Sequence, residues 1–257
     1  MPFTDNQGIQ IYYKVEGQGT ALVLLHSFSG SLEDYYEFGF VDKLQDTYRL
    51  ILIDSRGHGQ SDKPHDPNAY LMESRVSDVV AVLDDLSIDK AHFQGYSMGG
   101  SIGFATTKYA ADRFYSLILG GAQPYQQEAS DEFHPWIPLL RQGIKVGIEG
   151  YMKLRGDRNS PERKARLMTN DPEALIPMLL VNDTVDLEPD LPNVSIPCLV
   201  YAGDAAGEHE NAKKAVMTMP NAKFISLPGL DHYDGLRRSD LVLPQVTKFL
   251  SDVNAAL

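Results

Sequence analysis

The chain has 257 residues, 43% of them hydrophobic and 23% charged, which suits one α/β domain carrying a modest insertion. Its formal net charge of −12 repels phosphate backbones and leaves no basic stripe, so nucleic acid is excluded as an expected partner. A single cysteine, Cys198, rules out both an intramolecular disulfide and a cysteine metal cluster.

Taken in chain order, residues 9–15 alternate loosely and predict an edge strand or hairpin that ends at Gly17-Gln18-Gly19. Residues 21–25 form a continuous apolar run, as in a strand buried on both faces. Further strands are predicted over 50–53, ending at Asp54, over 91–94, over 117–119, over 198–201 and over 222–227. Cys198 opens one of these runs, where an inert core thiol is expected. Between the strands, residues 74–86 place apolar side chains at Val76, Val79, Val80, Val82, Leu83 and Leu86, matching the 3.6-residue period of a helix. Residues 239–253 repeat that pattern and close the domain.

Strands alternating with helices predict a mostly parallel sheet covered by helices, hence an α/β fold. Residues 122–193 break the alternation, with helical character, punctuation at Pro135, Pro138, Pro161, Pro172, Pro177, Pro189 and Pro192, and no credible strand. They are expected to form a helical cap over a core made of residues 1–121 and 194–257. No apolar run approaches the roughly 18 residues a membrane span needs. Residues 1–6 lack the basic and apolar regions of a secretory leader, and a cytoplasmic location without membrane contact is expected.

Gly95-Tyr96-Ser97-Met98-Gly99 fits G-x-S-x-G, and a predicted strand runs into it while a small-residue helix, Gly100-Ser101-Ile102-Gly103, leaves it. Turning from strand to helix within one residue strains Ser97 and lifts its hydroxyl above the sheet at a helix N-terminus. A glycine-rich turn with an exposed serine is the bland alternative.

With that elbow in place, the sequence resembles the α/β-hydrolase superfamily over nearly its whole length. Four segments follow the family's order: His26-Ser27-Phe28-Ser29-Gly30-Ser31, Asp54-Ser55-Arg56-Gly57-His58-Gly59-Gln60-Ser61, the elbow, and Pro228-Gly229-Leu230-Asp231-His232. The resemblance implies Ser97 as nucleophile and His232 as the general base that a neutral hydroxyl needs. It further implies an oxyanion hole built from the backbone N–H groups of Met98 and Phe28, although Ser27 stands where the family usually has glycine. The family's acid follows the penultimate strand, but here Gly203-Asp204-Ala205-Ala206-Gly207-Glu208 puts alanine at the expected position. Asp204 is the favoured candidate and Glu208 the next. Asp54, Arg56 and Asp62, with His26 and His58, match loops that hold the architecture; His65, His92, His134 and His209 match no motif.

Glu208-His209-Glu210 is read as a solvated helix start, since adjacent helical positions diverge and no separated ligand completes a shell. No metal and no cofactor are expected. Tyr125, Phe133 and Trp136, with Ile137, Leu139 and Leu140, either line an apolar pocket over the serine or pack the insertion onto the sheet. The reaction implied is hydrolysis of a small or medium ester or lactone through an acyl-enzyme. Carbon–carbon bond hydrolysis, a perhydrolase activity, and a degenerate small-molecule binder are the alternatives, and a homodimer stays open.

Overall fold

The computed structural model describes residues 2–125, 137–155, 157–181 and 186–257. Among the described residues there are eight strands: β1 (Phe3–Asn6), β2 (Ile9–Glu16), β3 (Thr20–Leu25), β4 (Tyr48–Ile53), β5 (Ala91–Tyr96), β6 (Phe114–Gly120), β7 (Cys198–Gly203) and β8 (Ala222–Leu227). They form one sheet in the order β1-β2-β4-β3-β5-β6-β7-β8. β1 and β2 pair antiparallel, as do β2 and β4, and every other pairing is parallel. The expected mostly parallel α/β sheet is what the chain forms. The N-terminal hairpin turns at Gln7 and Gly8, both at positive φ (57° and 84°), which matches the right-handed twist of the strands it joins.

Burial on both faces explains the uninterrupted apolar runs. Val23, Leu25, Ile51, Ile53, Phe93, Leu117 and Leu119 pack under the helices Met72–Asp85, Met98–Tyr109 and His209–Thr218. Their neighbours in sequence, Leu22, Leu24, Leu50, Leu52 and Ile118, face the opposite side beneath Glu33–Glu37, Phe40–Leu44 and Ser239–Asn254. Alternate side chains of a strand point to opposite faces, and each fully buried Leu or Ile contributes about 1.5–3 kcal/mol.

Between β6 and β7 the described residues hold only helices and loops: Ile137–Leu140, Ile144–Arg155, Pro161–Leu167, Pro172–Leu180 and the 3₁₀ turn Glu188–Asn193. Ala174, Met178, Leu187 and Leu191 join the same apolar cluster as Val23 and Phe93, so this region shares the core of the sheet. No described helix is long and apolar enough to cross a membrane.

Strand order decides where a site can form. After β3 the chain moves to one side to make β4, then crosses back to lay β5 on β3's other edge. Loops leaving the carboxyl ends of β3 and β5 therefore diverge, and the crevice between them is where open α/β sheets bind ligands.

Candidate active site

Ser97 is the only residue between β5 and the helix Met98–Tyr109, and its backbone sits at φ 54°, ψ −111°. Such a conformation costs a non-glycine residue of order 1–3 kcal/mol. Its amide donates to Gly120 O on β6 at 2.7 Å, and its carbonyl accepts from Ser101 N at 2.8 Å inside the helix, so both sides of the turn are tied down. A Cβ at Gly95 would collide with Gly99 O, and one at Gly99 with the carbonyl of Leu25. The two glycines of the motif are thus required by close backbone approach, the second against the end of β3.

The chain leaving β8 brings His232 over this elbow. Ser97 Oγ lies 2.9 Å from His232 Nε2. On the far side of the ring, His232 Nδ1 lies 2.7 Å from Glu208 Oε1. A carboxylate can only accept, so Nδ1 carries the hydrogen and Nε2 is left with a lone pair facing the hydroxyl. The Glu208 side chain is 12% exposed and that of His232 33%. From below, Tyr96 OH donates to the His232 carbonyl at 2.7 Å. Asp231 Oδ1 accepts from the amides of Tyr233 and Asp234 at 2.8 and 3.0 Å, which shapes the turn.

The expectation that Asp204 meets the imidazole is corrected. Asp204 is exposed, and its Oδ1 accepts from Gly229 N at 2.7 Å, bracing the loop that carries His232 rather than the ring itself. The reason lies in the backbone. Asp204 N bonds Leu227 O and Ala205 N bonds Leu230 O, so the first residues after β7 continue along the β8 side. The chain then turns through Ala206, whose carbonyl accepts from His209 N, and Glu208 caps the helix His209–Thr218. Glu208 starts further along the chain and reaches back with a side chain one methylene longer. Its place as the next acid after Ala206 was the available signal.

The loop after β3 is held by buried polar groups. His26 Nε2 accepts from Ser55 N at 3.1 Å, so its Nδ1 donates to Ser27 O at 2.8 Å. His58 Nε2 accepts from Ser29 N at 3.0 Å, and burial holds this imidazole well below its usual pKa. Asp54 accepts from Leu32 N and Gln60 N at 2.8 and 2.9 Å; its carboxyl is raised by burial. Phe28 is half-buried with its ring edge-on to His58, centroids 5.6 Å apart. Positive φ in this loop falls on Ser29 (59°) and not on Ser27, which is why serine is tolerated in place of glycine there. Met98 is the first residue of its helix, where an N–H has no intrahelical acceptor. Phe28 and Met98 thus come from adjoining elements, since the elbow packs on the end of β3.

The remaining candidates sort differently. Tyr125 is half-buried with Lys214 Nζ 4.6 Å above its ring, which places it against the helix His209–Thr218. Phe133, Trp136 and His134 lie outside the described residues. Ile137 and Leu140 are fully buried, and Leu139 and Leu140 pack against Gly150 and Gly147 of the next helix, inside the insertion and not on the sheet. Arg56 pairs with buried Asp78 through Nε and Nη2, both at 2.6 Å, a brace rather than chemistry. His65 meets Asp171, His92 meets Ser116 and Asn254, and His209 meets Ser226. Burial pushes the Cys198 thiol up to about 12. Among the described residues no three His, Cys, Asp or Glu side chains are grouped to hold a metal.

Comparison with known proteins agrees with this geometry. The family model described as the alpha/beta hydrolase fold matches residues 20–146. A 3-oxoadipate enol-lactonase of Acinetobacter baylyi is 28% identical over 85% of this chain and 81% of its own length. A proline iminopeptidase of Lactobacillus helveticus is 32% identical over 63% of this chain and 55% of its own. The chain spans about half the length, 44–55%, of the curated relatives it matches at 32–35% identity. The crystal structure of an enol-lactonase from Burkholderia xenovorans superposes with a TM-score of 0.85 at 24% identity, over 97% of this chain and 100% of that one. Sheet order, elbow, family model and structural neighbours converge: the chain has the α/β-hydrolase fold.

Proposed function

We propose that the protein is a serine hydrolase that cleaves a small or medium carboxylic ester or lactone through an acyl-enzyme on Ser97. The observation that carries this reading is the run Ser97 Oγ–His232 Nε2–Glu208 Oε1, with steps of 2.9 and 2.7 Å, supplied from behind β5, β8 and β7. Serine alone is a weak nucleophile at neutral pH, and an imidazole at hydrogen-bond distance is what activates it.

In this reading Ser97 Oγ attacks the carbonyl carbon while its proton passes to His232 Nε2. Glu208 stabilises the imidazolium that forms, and the amides of Met98 and Phe28 donate hydrogen bonds to the developing oxyanion. The imidazolium then gives its proton to the departing alkoxide as the C–O bond breaks; in a lactone that hydroxyl stays attached to the acyl group. Water, deprotonated by His232, releases the acid and restores Ser97. Residues 122–193 serve as a lid whose side chains select the substrate. The enol-lactonase and esterase names among the similar proteins support the ester and lactone class. The proline iminopeptidase match favours a second reading, cleavage of the amide after an N-terminal residue, by the same chemistry.

A fluorophosphonate probe, p-nitrophenyl esters of increasing chain length, simple lactones and prolyl p-nitroanilide decide among these. Expected is labelling and ester or lactone turnover that vanish in Ser97→Ala. Turnover of the anilide alone would shift the reading to the aminopeptidase. A folded wild type that neither labels nor turns over any of them would leave a binding protein.

A further inference from the structure

His232 lies in a loop, residues 228–233, without regular secondary structure, so something must hold its neighbours. On the sheet side this falls to Tyr96 and Asp204. On the outer side it falls to the segment 157–163 of the insertion, about 70 residues away in sequence. Arg158 grips the residue before His232, with Nη2 2.7 Å from Asp231 Oδ2, and its Nη1 lies 2.6 Å from Asp234 Oδ1. The residue after His232 is held as firmly. Tyr233 OH accepts from Arg163 Nη1 at 3.2 Å and donates to Asn159 Oδ1 in a short hydrogen bond. That same Asn159 oxygen accepts from Arg163 Nη1 at 2.6 Å and from Arg237 Nη2 at 2.8 Å. The guanidinium groups of Arg237, Arg158 and Arg163 lie 4.4, 5.3 and 5.9 Å from the centroid of the Tyr233 ring.

Arg163 is itself anchored. Its side chain is 7% exposed, and its Nε and Nη2 donate to the two oxygens of Asp34, 1% exposed, at 3.0 and 2.9 Å. Asp34 lies in the helix Glu33–Glu37, directly after the loop that bears Phe28. One guanidinium therefore touches the element behind the oxyanion loop and the residue beside the base. Apolar groups would fill this volume without the cost of burying charge, whereas a forked donor fixes direction.

We propose that the segment 157–163 is a positioning device for His232: Arg163 and Arg158 hold Tyr233 and Asp231 on both sides of the imidazole, so the base is aligned only while the insertion is seated on the core. This rests on the serine-hydrolase reading above. Reaction rate depends steeply on such alignment, while substrate affinity need not.

The test compares Tyr233→Phe, Arg158→Ala and Arg158→Lys with wild type for kcat and KM on a p-nitrophenyl ester. The same proteins are examined for the low-field proton resonance of His232 Nδ1–H against Glu208, and for Tm. Expected are losses of roughly 5- to 30-fold in kcat for Tyr233→Phe and Arg158→Ala with KM within about twofold. The low-field proton should broaden or vanish in both variants, and Arg158→Lys should recover most of the rate. The Arg158 side chain is 37% exposed and its pairs are of the weak surface kind, so that variant should melt within a few degrees of wild type and decides the matter if Tyr233→Phe does not fold. Unchanged kcat with a wild-type low-field proton in both variants overturns the proposal. If wild type itself is inert toward every substrate, the functional reading has failed, and the proton resonance alone still decides whether the segment positions the imidazole.

Discussion

Replacing Glu208 by glutamine removes one charge and almost no volume, and it tests which carboxylate serves the imidazole. With Oε1 2.7 Å from Nδ1, the centres of the carboxylate and imidazolium charges are about 4 Å apart. At an effective dielectric of about 20 that attraction is worth ~4 kcal/mol. A third of the His232 side chain is open to water. Screening therefore reduces the figure to about 2–3 kcal/mol, which corresponds to roughly 30- to 150-fold in kcat. The glutamine carbonyl can still accept from Nδ1–H, so the tautomer survives and the loss reports the charge. Steady-state hydrolysis of a p-nitrophenyl ester measures it, with Asp204→Asn as the control. The Asp204 oxygen serves Gly229 N, and an asparagine oxygen accepts that bond equally, so kcat should stay within about threefold. A Glu208→Gln enzyme within threefold of wild type, beside an Asp204→Asn enzyme that loses tenfold or more, would refute the assignment.

Gly99→Ala should cost about 1–3 kcal/mol, because its Cβ meets the Leu25 carbonyl and must displace either β3 or the elbow; urea unfolding and fluorophosphonate labelling both report it, and unchanged values would deny the close contact. His58 and His92 are both lowered by burial, so the unfolded chain binds their protons first. Their contribution is complete above about pH 6.5 and is lost as pH falls below it, by at most ~1.4 kcal/mol per pH unit per histidine. Urea midpoints at pH 7, 6 and 5 should show that slope, and His92→Gln should flatten it. Cys198 should ignore Ellman's reagent at pH 8 in the folded protein and react fully in guanidinium, since burial pushes its thiol up to about 12. Rapid reaction in buffer would contradict that burial.

The parts legible beforehand are those written in short-range pattern. Residues 21–25 and 50–53 are apolar without interruption because both faces of β3 and β4 are covered, and no other element type explains so short a run between turns. The elbow was legible because glycine at 95 and 99 answers a steric demand that lies within a few residues. β1 was not separable from β2: Phe-Thr-Asp-Asn is short, largely polar and mostly accessible, so its identity comes from pairing and not from composition. The Asp204–Glu208 ambiguity was of another kind. Which carboxylate reaches a ring 24 or more residues away depends on how Asp204 N and Ala205 N extend the ladder toward β8, a backbone fact that side-chain identity does not encode. The Arg163–Asp34 pair, 129 residues apart, is likewise invisible to periodicity, since both residues read as ordinary surface charges until the insertion folds back.

Strand order also bears on the length of one connection. β5 and β8 are separated by β6 and β7, so their ends lie three strand spacings, about 14 Å, apart. Five residue steps carry the backbone from Leu227 to His232, a span of at most about 17 Å. Deleting two of those residues would cut the backbone reach to about 10 Å and leave the two side chains to span the remainder. Each residue removed between 228 and 231 therefore draws the imidazole back toward β8, so this connection tolerates exchange of side chains better than shortening.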